Sequence, residues 1–535
     1  MSHGVTAVAP GQLPLVVQLG FAGSRRLLDE VAHPSVSGAA FDVAIQAYVQ
    51  QRLQRLPADL GLTPSHFFCA LSQGAIGADT AFGHACAALD IRQRILLSQP
   101  LDDALSARST DGVADYTAAQ QATARALLAS PHVIETRVVS TANDRSTRFE
   151  EVNLEIVRAS DVLLCVVRDG AVAKAGGSLD LLARGAARGL PVLEIRVSCD
   201  ADGHPVFVEQ WRGIEAFMAP SVPNELSDVH LADVARLSET TFTQPLLRFA
   251  SAQARHRQGF FRRTALIIVL THVFATLLSL IALKLGTAYA RVVIADLTLE
   301  LALLLTGFFV HRSLHHSRAT RVWAMSRLVA ETARSVVAAK HIPGTLSHLS
   351  TLTMPTDLRA LLNTLNVVHL EGARNLDHAQ WHARRDAYVS ERLQKTRTGQ
   401  ISYYGQQLVK ARRQLSHAQT WFRVGSLGAI VATMAKLLAH VVNVPGLESA
   451  VPILGPLAIF LPVVAVGALS LAASFDLEAR VHTYTEMLAF LARQATYLSA
   501  ATSEHEFAAL VVDTERVLLG ETAVWYSRRA FTSVA

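Results

Sequence analysis

Two kinds of apolar pattern divide the chain. Up to about residue 200, short apolar runs alternate with mixed stretches of helical period. The runs Leu15–Leu19, His66–Leu71, Arg94–Leu97, Val162–Val167 and Val192–Val197 read as strands. Continuous apolar runs suit strands buried on both faces, and helices between them imply a parallel sheet. The repeated βα alternation predicts a doubly wound, Rossmann-like α/β domain over residues 1–200. Beyond residue 258 the runs lengthen. Ala265–Leu283 and Val292–Val310 have 19 residues each. At about 1.5 Å rise per residue, that nearly spans a hydrocarbon core of roughly 30 Å. Val424–Val442 and Val451–Phe475 form a second pair. Pro452, Pro456 and Pro462 predict a kinked or late-starting helix there.

The two pairs resemble an internal repeat, each a basic helix, a span, a short connection, a second span and a returning helix. The chain therefore divides into the α/β domain, a connector over 201–258 expected to hold helices, a two-span unit over 259–345, amphipathic helices over 346–421 and a second two-span unit over 422–535. An all-α, four-span region is expected beside the α/β domain.

Charge orients the spans. Arg255, Arg257, Arg262 and Arg263 precede the first, and Arg312, Arg318 and Arg321 follow the second. Lys410, Arg412, Arg413 and Arg423 precede the third, and Arg480 follows the fourth. The connection after the third span has no Lys or Arg, and the one after the first has only Lys284 and Arg291. The positive-inside rule then predicts four spans with both termini in the cytoplasm. Composition agrees: half the residues are apolar and 17% are charged, against about 25% in a typical soluble domain. The net charge of +5 reads as membrane topology, so a lipid partner is expected and a nucleic acid is not. The amino terminus lacks a basic segment followed by a long apolar core, so no cleavable signal is expected. Cys69, Cys86, Cys165 and Cys199 form no CxxC pair and fit a reducing compartment.

Ionisable residues inside apolar spans are expensive. Asp296 and Glu300, four apart, share a face of the second span, and Lys436 and His440 share one on the third. They are candidates to line a polar passage. The plain alternative is pairing within the bundle.

In the α/β domain, three turns rich in small residues are expected at the carboxyl edge of the sheet: Gly20–Ser24, Ser72–Asp79 and Gly176–Ser178. Ligands of such sheets bind there, where glycine lets backbone N–H groups approach a phosphate and helix N-termini favour anions. Gly20, Phe21, Gly23, Ser24, Arg25, Gly74, Gly77, Asp79, Gly176, Gly177 and Ser178 are the candidate ligand residues, with Arg26 an alternative cation to Arg25. No P-loop, HExxH or Ser-His-Asp arrangement is present, and no catalytic residue, metal or cofactor is assigned.

The stretches GFAGSRRL, LSQGAIGADTAFGHACAALDI and RFEEVNLEIVRASDVLLCVVRDG, with GGSLDLLARGAARGLPVLEI after them, resemble the SLOG superfamily of nucleotide-binding domains over about residues 13–200. The carboxy-terminal pair, from QISYYGQQLVKARRQLSHAQTWF to LVVDTERVLLGETAVWYSRRAF, is similar to SLATT two-span effectors. The resemblance implies a sensor–effector of bacterial anti-phage defence in the inner membrane. It would bind a nucleotide-derived second messenger made by a separate enzyme, rearrange as a homo-oligomer and permeabilise the membrane. The alternative within the same superfamily is a membrane-anchored phosphoribohydrolase. Those enzymes carry a PGGxGTxxE loop, matched here by Ala175 to Ala183. The first glycines remain, but Ala183 stands at the glutamate position. Asp180 or Glu155 would have to supply the carboxylate, so binding without turnover is expected.

Overall fold

The computed structural model describes residues 13–28, 33, 36, 38–107, 116–223, 226, 237–285, 289–316, 319–340, 342, 356–374, 376–441 and 450–531. Arg318, Val442, the connection over 443–449 and residues 286–288 of that over 284–291 lie outside the described residues. The chain forms two compact units, residues 1–247 with 332–377, and residues 248–331 with 378–535.

The first unit is an α/β unit built on a seven-stranded sheet. Its strands are β1 (Leu15–Gly23), β2 (His66–Ser72), β3 (Arg92–Leu97), β4 (Val133–Val138), β5 (Val162–Arg168), β6 (Val192–Cys199) and β7 (Pro205–Arg212). Their order is β4-β3-β2-β1-β5-β6-β7. All pairings are parallel except that of β6 with β7. The order reverses at β1, whose first half pairs with β2 (Leu15 opposite His66) and whose second half pairs with β5 (Gly23 opposite Val166).

Side chains alternate across this sheet as the pleat requires. On one face Val17, Leu19, Phe21, Leu164 and Val166 pack against Phe41, Ile45 and Val49 of helix α1 (Gly38–Asp59) and Phe82 of α2 (Ala78–Ala88). On the other, Ala22, Leu163 and Cys165 meet Val152 and Ile156 of α5 (Arg145–Ala159) and Leu181 of α6 (Ser178–Ala187). Two short helices, α3 (Leu101–Ser106) and α4 (Ala118–Leu128), lie between β3 and β4 in the chain. The cysteines are free thiols, and burial pushes that of Cys165 up to about 12.

Two strands differ from expectation. β4 has no apolar run: its VIETRV sequence places Glu135 inward, where it pairs with Arg94 at 2.6 Å. β7 lies in the segment expected to hold connecting helices. Residues 200–204 turn the chain back, Asp200 accepting the N–H groups of Asp202 and His204, and β7 zips antiparallel onto β6. Tyr48 of α1 stacks on Phe207 at 3.7 Å. Among the described residues of that segment, a short 3-10 turn at Ile214–Ala216 comes first and continuous helix starts at Glu239.

Helix α10 (Thr356–Ala373) also belongs to the sheet unit, although it follows the first pair of apolar helices in sequence. It lies across the amino ends of the strands. Val16 N–H donates to Thr364 Oγ1 at 2.9 Å, Arg359 pairs with Asp161 at 3.0 Å, and Arg92 pairs with Glu371.

The second unit is helical. Four of its helices are long and apolar enough to cross a membrane: α7 (Gln244–Leu285), α8 (Ala290–His316), α12 (Gln400–Val441) and α13 (Val451–Ser474). α13 starts at Val451 despite its prolines, because Pro452 sits in the first turn, where no helical N–H is needed. Gly425 and Gly428 let α12 approach Leu461 and Ala465 of α13. The remaining helices are α9 (Ala319–Ala339), α11 (Trp381–Ala387), α14 (Leu477–Ala500) and α15 (Glu504–Phe531). Residues 346–355 of the amphipathic stretch expected over 346–421 lie outside the described residues, and the rest is split between α10, short turns, α11, a π-helical turn over Tyr388–Gln394 and the first half of α12.

Candidate functional site

At the carboxyl edge of the sheet, beside the β1–β5 reversal, lies a cleft of about 610 Å³. Three connections form its walls: Ala22 to Arg26 after β1, Gln73 to Asp79 after β2, and Arg168 to Ser178 after β5, with Phe149 and Asn153 of α5 completing it. A second cavity of about 510 Å³ adjoins it through Arg25, Gln73, Ala75 and Phe149, and adds Gly74, Arg145 and Arg148.

Backbone geometry fixes these loops. Gly77 has φ +80°, and a Cβ there would stand 2.3 Å from the Arg25 carbonyl oxygen. The close approach lets Ala78 N–H donate to Ser24 O at 3.2 Å, stitching the first two connections together. Gly176 has φ +72°, and a Cβ would stand 2.6 Å from that of Phe149. Any side chain at either position meets both clash and left-handed strain.

Hydrogen bonds hold the third connection. Asn153, almost fully buried, donates to Gly177 O and Asp180 Oδ2, both at 3.1 Å, and accepts from Gln73 Nε2 at 2.8 Å. Asp180 also accepts from Gly176 N at 3.3 Å and from Arg184 Nε at 2.9 Å. Ser24 Oγ accepts from Arg168 N at 3.2 Å. Helices α4 and α5 have side-chain caps, Thr117 and Asp144. Helices α2 and α6, which start at the cleft, have only Gly77 and Gly177, with no side-chain cap bond. In α2 the Ala78 N–H is taken by Ser24 O, while the first N–H groups of α6 are left for water or a ligand.

The wall is strongly basic. Arg25, Arg26, Arg168 and Lys174 line the cleft, against one carboxylate, Asp79. Arg25 also lies over the Phe149 ring, 5.2 Å from its centroid. Asp79 is 3% exposed. Burial pushes its carboxyl up to about 7, opposed by Arg25 and by the N–H groups of Gln73 and Gly23. Its Oδ1 has no hydrogen-bond partner. Near neutral pH this acid is therefore poised to be protonated and to act as a donor.

Of the residues singled out in the sequence, Gly23, Ser24, Arg25, Asp79, Gly176, Gly177 and Ser178 come together on the cleft wall. Gly74 lines the adjoining cavity, and Gly77 shapes the loop from behind. Gly20 and Phe21 do not reach the cleft. β1 continues through them to Gly23, Gly20 faces Ser160 and Leu163, and Phe21 is buried and stacked on Phe82 at 4.0 Å. Gln73, Phe149, Asn153, Arg168 and Lys174 were not anticipated. Arg168 had a signal, as the first charged residue after the β5 apolar run. Asn153 had none, because only the fold carries α5 beneath the loop. The two substitute carboxylates have other tasks: Asp180 braces the loop, and Glu155 pairs with Arg137 at 2.8 Å.

The β6–β7 turn brings ligating atoms of Asp200, Asp202 and His204 within 4.8 Å of one another, all three exposed.

In the helical unit, Asp296 and Glu300 lie on α8, and Glu300 accepts from Ser279 of α7 at 2.5 Å. Asp296 Oδ2 and Glu300 Oε2 are buried without hydrogen-bond partners. Lys436 Nζ lies near Gly455 of α13, and His440 Nδ1 is 2.9 Å from Lys436 O. Glu300 and Lys436 thus each lie against the neighbouring helix of their own pair, whereas His440 bonds back onto its own helix.

Compared with protein-family models and with curated proteins, the sequence matches none of them.

Proposed function

We propose that the chain is a membrane-embedded sensor–effector, with a doubly wound, SLOG-like domain that binds a nucleotide-derived second messenger and SLATT-like helix pairs that respond. The reading rests on one observation above the others: a cleft with four cations and one carboxylate, at the reversal of strand order, beside two helix starts without side-chain caps. Doubly wound sheets bind ligands at that reversal, and a volume of about 610 Å³ falls in the range of small-ligand sites. Binding without turnover is the better reading, because Asp180 and Glu155 are committed to loop and strand contacts.

The four apolar helices cross the bacterial inner membrane, with both termini and the sheet unit on the cytoplasmic side. The chain passes between the units within α7, within α9 and after residue 377. Ligand-driven change in the sheet unit thus has continuous helices through which to act. A homo-oligomer of such chains rearranges when its sensors fill, and the membrane becomes permeable, as anti-phage defence requires. A separate enzyme supplies the messenger. To move the population from about 1% to 99% active, ligand must favour the active arrangement by roughly 5.5 kcal/mol, which several coupled subunits can share.

Mass spectrometry of small molecules released from the purified protein tests the first half, and a phosphate-bearing nucleotide derivative is expected. Liposomes containing the protein test the second: they should leak on addition of that molecule. Binding without leakage would leave a sensor and remove the effector.

A further inference from the structure

We infer that the cavity between α14 and α15, at the basic end of the membrane helices, binds the phosphate group of an anionic lipid. The inference rests on the reading that the apolar helices cross a bilayer and is independent of the nucleotide cleft. The cavity has a volume of about 310 Å³, and its wall includes Arg327, Asp476, Arg480, Tyr484, Glu521 and Trp525.

The wall carries carboxylates, and the two buried deepest have arginine partners: Asp476 pairs with Arg529, and Glu521 with Arg327 at 3.2 Å, while the exposed Glu486 lies 3.0 Å from His482. Two buried donors remain: Arg480 Nε and Trp525 Nε1 have no hydrogen-bond partner, and the Arg528 side chain also lines the wall. Unsatisfied buried donors are costly, and these two call for an acceptor. The local field agrees. Burial, and after it the adjacent Arg480, lowers the Arg262 guanidinium; burial lowers Arg529 too, against the pull of Asp476. A phosphodiester supplies the missing acceptor oxygens and the negative charge, in a geometry that guanidinium matches.

Position selects a lipid over a soluble phosphate. Arg529 donates to the carbonyl of Ser474, the last residue of α13, at 3.0 Å. An aromatic collar lies at the same level. Phe261, just before the apolar part of α7, lies 5.6 Å from Trp323 and 6.4 Å from Phe475, and Trp323 meets Trp525 edge-on at 4.8 Å. Amphipathic aromatics and arginines gather at headgroup depth, and basic pockets between helices on the cytoplasmic side hold anionic headgroups.

The test uses the full chain in a neutral detergent, titrated with short-chain phosphatidylglycerol, phosphatidylcholine of equal chain length, or glycerol 1-phosphate. Tryptophan fluorescence reads binding, and Trp525→Phe assigns the signal. Phosphatidylglycerol should bind at least tenfold more tightly than phosphatidylcholine. Arg480→Gln and Arg528→Gln should each reduce that preference about tenfold, while circular dichroism shows the helices retained. Arg528→Lys, which keeps the charge, guards against misfolding and should lose less. Equal binding of the two lipids, or a preference unchanged in both glutamine variants, overturns the inference. Glycerol 1-phosphate binding as tightly as phosphatidylglycerol overturns the lipid assignment. Release of the protein from membranes by a carbonate wash overturns the four-span reading and this site together. Equal lipid binding by a membrane-retained protein removes this site alone.

Discussion

The two units use arginine in opposite ways. In the sheet unit, Arg25, Arg26 and Arg168 stand with Lys174 on the wall of an open cleft that holds a single carboxylate. In the helical unit, the Arg392 side chain is 4% exposed, bonds Glu515 at 2.7 Å and Glu331 at 3.1 Å, and shares Glu515 with Tyr388 at 2.7 Å. An excess of cations at a solvent-filled edge costs little and attracts an anion. Charge compensated inside a bundle determines which helices can pack together, since a buried pair is tolerated only with its partners in place. Apolar surface is inverted in the same way. The sheet unit buries Val162 to Val167 entirely, whereas α8 and α12 expose Phe308, Phe309, Leu427 and Val431, as suits helices solvated by lipid.

The largest effect should come from breaking the buried cluster. Glu515→Ala strands Arg392 inside the bundle and should cost about 3–5 kcal/mol, read as a lower unfolding midpoint of the full chain in detergent. A change within 1 kcal/mol would mean that water reaches Arg392 and that the contrast with the cleft is false.

Next is Asp79. Its carboxyl titrates near 7 in the folded unit, far above its value in the unfolded chain. Between the two values the unfolded state is ionised while the folded state keeps its proton. Stability is therefore fully present below about pH 4 and falls as pH rises to about 7. The loss approaches about 4 kcal/mol as an upper bound. Asp79→Asn should flatten this slope, and parallel pH profiles of the two proteins would refute the buried acid. Affinity for an anionic ligand should also weaken as pH rises through 7.

Gly176→Val should push Phe149 aside and cost the cleft at least tenfold in ligand affinity. Gly170→Val, whose Cβ meets nothing within 4 Å, carries comparable left-handed strain without that clash. Equal affinities for the two variants would show that close packing of the loop is immaterial.

A smaller effect is expected from Arg168→Ala, roughly tenfold in affinity, or about 1.4 kcal/mol, with binding that depends less steeply on salt. The smallest is Lys395→Ala, which removes an exposed pair with Glu391 one helical turn away. It should change stability by less than about 0.5 kcal/mol, and a larger loss would show that surface pairs also matter to the bundle.

The legibility of the chain followed how local each signal was. Strands β1, β2, β3, β5 and β6 and all four apolar helices could be read because long apolar runs bias the backbone wherever the chain goes. β4 and β7 could not, since VIETRV and PVFVEQWR become strands only by pairing with neighbours already in place. The glycine turns were legible, but Gly20 and Phe21 were assigned to a loop when pairing with β5 extends β1 past them.

Period and composition alone dictated a parallel sheet core and four helices long and apolar enough to span a membrane, because burial of apolar surface depends on spacing and length. Tertiary structure alone decided that Asn153 braces the Gly176 loop, that α10 returns to cover the amino ends of the strands, and that Arg480 and Trp525 share a cavity. Those contacts join residues far apart in sequence, and no local pattern encodes which distant partner will satisfy a buried donor.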